Sequence, residues 1–449
     1  MAYQTTTLSE ALVLLGNRLM DPSGVRWTDP EKTIYLQEAL RSWNALTGFY
    51  RGRGGFTTVS GQAFYDLPTV LSSLRGYTFT DQRAIQEICY HLMEPIPTGS
   101  TWNGTSQFTL VQVVEAVQEA RDKFLYQTGA VITPSTIGVN PVPSNGRIDL
   151  SENIANVRRV SWRTADGIRT VLFRDDEWSL ATYARRSWGV QADIVPKAYS
   201  TGETPPLTLQ IAPVPSATAT VDLLTINRGA EIDPNVPAVL GVPDDWCWVV
   251  IFGALTVLLQ RDGLASDPAR AAYCQSRWLD GVKQAKAAAV SLDGLIGTST
   301  ATLGSVSDAD YYSPQWQTNP AVPRRLLTAG QNLIGTWPIA GVPTTGGGYA
   351  VTLDVVRNAP LPSVGADYLE VGPELLEGIL DYAQHLASFK EGPAALQAAQ
   401  TLLDRFYALA GATIEIQWAS SPNRMAATDQ TKEDQQALAY ATTNAGTIN

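Results

Sequence analysis

"VPDDWCWVVIFGALTVLLQRDG" fills residues 242–263, and "VGPELLEGILDYAQHLASFKEG" fills residues 371–392, an offset of 129. Side by side, each is an extended lead-in, a Pro-containing turn and a helix opened by acids. Each ends in a basic residue, an acidic residue and Gly, with Pro within the next five residues. A second helix follows in both places, Pro268–Ala289 and Pro393–Ala410. Helix, tight break and helix predict an αα-hairpin. The apolar run Trp246–Leu259 is 14 residues long, short of the ~20 needed to span a bilayer. It reads as a central helix buried on nearly all sides, and no membrane association is expected. The offset also reaches upstream: "TINRGA" (225–230) and "DVVRNA" (354–359) end two apolar strands and set Arg228 opposite Arg357.

An earlier pair repeats in the same way. "QEALRSWNALTG" (37–48) aligns without a gap on "QEARDKFLYQTG" (118–129), with Trp43 opposite Phe124. The first of these belongs to a unit that starts with a helix over Leu8–Met20. Thr7 is its cap and Glu10 lies three residues on. After "VRWTDPEK", Asp29 and Pro30 open a helix with Ile34, Tyr35, Ala39, Leu40 and Trp43 along one side. Gly48 ends it. A glycine loop and short strands ending in "FYDLP" (64–68) follow. The second has a helix over 110–127, Gly129, and extended segments ending in "GRIDLS" (146–151). Beyond it, "NVRRVSWRT" and "TVLFRD" predict a hairpin around "ADG". "DDEWSLATYARRSW" predicts a short amphipathic helix. "LTLQIAPVP" (207–215) and "ATVDLLTI" (219–226) read as two paired strands around a Pro-rich turn.

The expected class is α+β: a helical bundle or αα-hairpins combined with antiparallel β subdomains, internally duplicated. The division is 1–80, a helix–turn–strand unit; 81–165, its second copy; and 166–290, β hairpins plus an αα-hairpin. Residues 291–348, rich in Gly, Ser, Thr and Pro, read as a linker or arm. Residues 349–419 are a β segment plus the second αα-hairpin. Residues 420–449, without an aliphatic pattern, read as an extended arm that orders against a partner.

Composition narrows the function classes. A chain of 449 residues is expected to form several subdomains. A net charge of −11 argues against general affinity for nucleic-acid phosphates. A charged fraction of only 17% suits a surface partly covered by neighbouring subunits. Cys89, Cys247 and Cys274 offer neither a disulfide framework nor metal spacing, and each sits in an apolar helical pattern. The start, "MAYQTTTLSE", has no basic region leading into an apolar stretch, so no signal peptide is expected. There is no Gly-Lys pair, HExxH, CxxC or GxSxG, and the glycine loops at 52–55 and 344–348 lack a dinucleotide-site setting. His91 and His385 both fall in helical patterns. No catalytic residue, cofactor or metal is expected. Asp175, Asp176 and Glu177, like Asp244 and Asp245, precede amphipathic runs, where acids stabilise a helix start by roughly 0.3–1 kcal/mol each. Read instead as catalytic carboxylates, they would support a carbohydrate-active enzyme. Between Arg147 and Arg186 eight arginines interleave with six acids, a mixture suited to protein–protein contacts. The candidate partner-contact residues are Arg158, Arg159, Arg185, Arg186, Arg324, Arg325, Trp188 and Trp316.

"DPEKTIYLQEALRSWNALTG" resembles the start of tailed-phage head-to-tail adaptor proteins. So does the later series: the "RDDEW" turn, "YSTGETPPLTLQIAPVPSATATVDLLTINRG", and "VPDDWCWVVIFGALTVLLQRDGLASDPARAAYCQSRW". The resemblance covers most of residues 1–290, and reaches about 415 if the downstream repeat counts. It implies a non-enzymatic virion protein at the neck, assembled in the host cytoplasm. Such a protein forms a homo-oligomeric ring, usually of twelve copies, docked on the portal protein and carrying tail or nozzle proteins. It continues the channel through which double-stranded DNA passes without sequence-specific binding, including during genome ejection. A tail-tube, baseplate or decoration component is the alternative within the virion.

Overall fold

Thr7 starts the first helix as the sequence predicts. Its hydroxyl accepts from the Glu10 N–H, and the Glu10 carboxylate accepts from the Thr7 N–H. The computed structural model describes residues 5–98, 101, 106–139, 146–176, 179, 192–193, 195–202, 208–215, 219–261, 265–288, 292–297, 299–313, 315–342 and 347–420. The class is α+β. The chain divides into two compact units, Met1–Thr47 with Pro360–Asn449, and Gly48–Ala359.

The first unit is helical among its described residues. It holds α1 (Leu8–Arg18), α2 (Asp29–Thr47), α10 (Pro373–Ser388), α11 (Pro393–Ala398) and α12 (Gln400–Ser420). α10 packs on α2 and α12, and α1 packs on α2 and α10. Trp43 and Tyr382 flank Phe406, with ring centroids 5.6 and 4.6 Å away.

In the second unit the long helices are α5 (Asp81–Leu92), α6 (Leu110–Thr128), α7 (Cys247–Leu259) and α8 (Pro268–Ala287). Among the described residues three short ones join them: α3 (Leu67–Val70), α4 (Ser72–Arg75) and α9 (Val306–Tyr312). α7 packs on α6, α8 and α5. All of α7 is buried except Val257, so the apolar run does form a central helix. No helix among the described residues is long and apolar enough to cross a membrane.

Two seven-stranded sheets complete the second unit. In spatial order the first is β1 (Arg51–Thr57), β16 (Ala350–Val356), β12 (Leu292–Ile296), β13 (Ser299–Ser305), β14 (Arg325–Ala329), β15 (Leu333–Trp337) and β2 (Phe64–Asp66). The second is β3 (Thr133–Val139), β11 (Ala219–Asn227), β5 (Ile154–Thr164), β6 (Arg169–Arg174), β8 (Ala198–Ser200), β9 (Thr208–Ala212) and β4 (Arg147–Asp149). Across the first sheet every neighbouring pair is antiparallel except β13–β14. Across the second every pair is antiparallel except β6–β8, at the same step. A small parallel pair, β7 (Ala192–Asp193) with β10 (Val214–Pro215), has a counterpart in the parallel bridge Ala321–Ala340.

The helices obey matching registers. α2 and α6 are each 19 residues long and end at Gly48 (φ 59°) and Gly129 (φ 60°). Glycine suits both positions because a Cβ crowds the left-handed region. α1 and α5 are each capped by a threonine, Thr7 and Thr80. Just beyond them Met20 and Met93 take left-handed φ of 55° and 57°. Leu8 N–H donates to Asp367 O and Leu369 N–H to Thr6 O; Asp81 N–H donates to Ala238 O and Leu240 N–H to Phe79 O. The offset of 129 links Asp367 to Ala238 and Leu369 to Leu240.

Chain order is where the structure departs most from the sequence reading. All of the second sheet comes from residues 133–227, inside the single connection from β2 to β12 of the first. The equivalent connection in the second sheet, β4 to β5, is residues 150–153. Residues 291–348 therefore do not form a linker. They supply β12, β13, α9, β14 and β15, with Leu326, Leu327, Leu333, Ile334 and Trp316 buried. Sparse apolar residues among Gly, Ser and Thr concealed them. Likewise 1–80 is not a self-contained unit, because β1 and β2 pair with strands from 333–356. "LTLQIAPVP" and "ATVDLLTI" do not pair with each other: β9 lies between β8 and β4, and β11 between β3 and β5. The amphipathic helix expected after Asp176 falls largely on residues that are not described, as does the arm beyond Ser420.

Candidate functional site

Successive side chains on a strand point to opposite faces, and this separates Arg158 from Arg159 on β5. Arg158 is exposed. Arg159 is turned inward and forms a two-pronged ion pair with Asp310 of α9, at 2.6 and 2.7 Å. It also donates to Gln317 at 3.2 Å and lies 5.9 Å from the Trp316 ring. The Trp316 indole N–H donates to the same Asp310 at 2.9 Å. Trp316 is only 1% exposed and packs with Ala63, Val306, Ala309, Leu327 and Ile339. Two partner-contact expectations are thus corrected. Trp316 is a core residue, and Arg159 ties β5 to α9 of its own chain.

Beside them Asp222 on β11 accepts from Arg163 and from Arg169 Nε, each at 3.1 Å. Arg169 also donates to the Gln317 carbonyl, and its backbone N–H donates to the Thr318 hydroxyl. Burial holds the Arg169 guanidinium below its ordinary value, although Asp222 opposes this. The groups border a cavity of 310 Å³ lined by Gly61–Phe64, Pro134–Thr136, Arg159, Arg169 and Asp222–Leu224. Leu224 also belongs to a small buried cluster with Ile132 and Leu333, against which Phe64 and Ala329 pack.

The turn between β14 and β15 makes a second junction that sequence reasoning missed. Gln331 accepts from the Trp246 indole N–H at 2.9 Å and donates to Ala285 O at 2.8 Å. Asn332 accepts from Ile132 N–H and donates to Ile132 O and to Asp66, at 2.8–2.9 Å. One dipeptide thus ties both sheets to the ends of the α7 and α8 region. Its only sequence signal is two amides beside Gly330, inside a stretch that resembles a linker.

The acids expected at helix starts divide. Asp176 accepts the Ser179 N–H and hydroxyl, as a capping residue does. Asp244 accepts the N–H groups of Thr78 and Phe79, the Thr78 hydroxyl and the Asn358 amide. Asp245 pairs with Arg75 at 3.4 Å. These two are therefore loop fasteners as well as neighbours of a helix start. Arg324 and Arg325 are exposed, and Arg325 lies 4.9 Å from the Trp337 ring. Arg185, Arg186 and Trp188 lie outside the described residues.

The remaining chemistry is interior. Cys89, Cys247 and Cys274 are buried, and burial pushes the Cys89 thiol up to about 12. His385 Nδ1 is 2.9 Å from Ala399 O. His91 is packed 6.0 Å from the Phe252 ring, and burial lowers its pKa to about 4, so it is neutral at pH 7. Among the described residues no group of three or more His, Cys, Asp or Glu is placed to hold a metal ion. A groove of 600 Å³ along α6 presents Val111, Glu115, Glu119 and Asp122 opposite Glu231 and Ile232. Another of 540 Å³ lies along α1 at Thr5, Thr6, Ser9, Glu10, Val13 and Leu14. Neither is lined by histidine, cysteine or a basic residue. No family model matches the chain, and no curated protein matches it.

Proposed function

We propose that the chain is a structural component of a virion neck, built from one helix-and-sheet module present twice. One copy is inserted into the other. The outer module is α1, α2, the first sheet and α10–α12. The inner module is α5, α6, the second sheet, α7 and α8. The observation that carries the duplication is the shared order and direction of the strands, with their single parallel step at the same place. Matching helix lengths, end glycines and backbone hydrogen bonds support it.

The head-to-tail adaptor reading rests on the resemblance of the α2 segment and the α7–α8 hairpin, together with how the charged groups are used. Arg159, Arg169, Asp222, Asp244 and Asp310 fasten elements to one another. Such ties suit a protein whose work is to hold a shape under axial load. In this reading the chains form a ring on the portal, carry the tail, and surround passing DNA. The net charge of −11 disfavours phosphate adhesion along that path. Electron microscopy of the assembled particle is the test. Density for this chain between portal and tail supports the reading. Density in the shell or the distal tail favours another virion component, and a chain that stays solitary beside portal and tail proteins refutes assembly.

A further inference from the structure

We propose that the cavity beside Arg159 and Arg169 is a binding site for one carboxylate carried on a short apolar stem. Every group that lines it belongs to the unit Gly48–Ala359. The proposal goes beyond the adaptor reading and does not depend on it.

Charge on one face of the second sheet comes first. Alternate residues of a strand share a face, so β5 sets Arg159, Ser161 and Arg163 on the same side. Asp222 of β11 lies opposite Ser161, and Arg169 of β6 lies opposite Arg163. These three guanidinium groups are hydrogen-bonded to two carboxylates, Asp222 and Asp310, so one positive charge is left over.

The donors are not all used either. Arg159 directs Nε and Nη2 to Asp310 and Gln317. Arg169 directs Nε to Asp222 and Nη1 to the Gln317 carbonyl. Among the described residues Arg159 Nη1 and Arg169 Nη2 reach no acceptor, and Arg163 Nε and Ser161 Oγ are buried without a partner. A face so short of acceptors suits an anion. The Arg159 and Arg169 side chains are only 11% and 15% exposed, so water screens an arriving charge weakly. Burial also works against the Arg169 charge, and an anion beside it reverses that imbalance.

The walls decide what carries the charge. Away from the arginines the cavity is lined by Ala63, Phe64, Pro134 and Leu224. A hydrated inorganic ion gains nothing from such groups, whereas a hydrocarbon stem is stabilised by them. A cavity of 310 Å³ lies at the small end of ligand sites, which span about 300–1,000 Å³. Guanidinium groups match a planar carboxylate, as Arg159 already does with Asp310. Phe64 belongs to β2 of the first sheet, and Arg159 and Arg169 to β5 and β6 of the second. A bound acid therefore touches both sheets and stabilises the fold in proportion to its occupancy.

The test uses the full-length protein with 3-phenylpropionate, its neutral amide and inorganic phosphate, read by calorimetry and thermal unfolding. The acid should bind saturably, about tenfold or more tighter than the amide or phosphate, and should raise the unfolding midpoint. Arg169→Met should weaken it by about tenfold. Pro134→Trp, at an exposed position on β3, fills the cavity while leaving all three arginines in place. It should weaken binding as much, and it carries the test if Arg169→Met does not fold. A tripeptide ending in Phe with a free C-terminal carboxylate separates two sources of the same chemistry. Tighter binding than the free acid assigns the site to the chain end of a partner; otherwise the ligand is a small organic acid. No binding of the acid, equal binding of the amide or of phosphate, or unchanged affinity in the folded variants overturns the proposal.

Discussion

Under the duplication proposed above, the helices of the outer module and those of the inner module solve one packing problem with different chemistry. Where α7 has Phe252, Gly253 and Thr256, α10 has Asp381, Tyr382 and His385. In the outer module Asp381 takes the Arg18 guanidinium at 2.7 Å, and Tyr382 accepts from the Ser42 hydroxyl and donates to Glu38. In the inner module the same ground is aromatic, with His91 and the Arg277 guanidinium 6.0 and 5.5 Å from the Phe252 ring. The sizes are exchanged as well. Tyr382 and Trp43 meet Phe406, whereas Gly253 makes room for the larger Trp278, which meets Phe124. Close helix approach is also kept by opposite means. Gly378 on α10 faces Leu409 on α12, but in the inner pair Gly281 on the second helix faces Val249 on the first. The backbone therefore specifies where volume goes, and either partner can supply it.

Moving the outer chemistry inward carries the largest expected effect. Phe252→Asp puts a carboxylate into a buried aromatic cluster and should cost on the order of 4 kcal/mol. Hydrogen exchange of α7 should rise toward the unfolded rate, and adding His91→Arg should recover part of the loss. Full protection in the single variant would mean that the two cores are not equivalent.

The next effect depends on pH. His91 is held neutral in the fold, at a pKa of about 4, against ~6.5 when unfolded. Below pH 6.5 the unfolded chain binds the extra proton, so this group's penalty is absent at higher pH and grows as pH falls toward 4. The total is on the order of 3 kcal/mol. Urea titrations from pH 7 to 4 should show His91→Leu losing less stability than the parent, and parallel curves would refute the assignment.

Gly253→Ala is smaller. Its Cβ would sit 2.5 Å from the Trp278 ring, an overpacking worth about 1–3 kcal/mol. A Trp278→Leu background should relieve most of it, and an unrelieved penalty would locate the strain elsewhere. The mildest test sharpens the equivalence. Gly48→Ala and Gly129→Ala each force a side chain into the left-handed region, at about 1–2 kcal/mol. Similar losses in the urea midpoint are expected from the two; a loss at one position alone would separate the helix endings.

Legibility in the sequence followed the strength of the local signal. The ends of α2 and α6 were readable because each carries Thr-Gly after a long helical pattern. The α7 and α10 segments were readable through the offset of 129. The nesting was not readable, because it depends on which strands find each other across more than two hundred residues. β12–β15 escaped notice for a related reason: they are short, and β13 is rich in Ser and Thr and largely exposed, so it carries little apolar pattern. The sheet junction was half visible. The arginine-rich stretch stood out, but Asp310 and Gln317, which turn Arg159 and Arg169 inward, sit about 150 residues away. Trp316 looked like an anchor for a partner because indole rings serve both purposes, and only its 1% exposure decides between them.

The turn at residues 150–153 has a consequence of its own. In the first sheet the same strand-to-strand connection accommodates an entire module without disturbing the order of the strands around it. Ser151, Glu152 and Asn153 are exposed. The architecture is therefore open-ended at this turn, and a third folded body spliced there could be carried in the way the inner module already is.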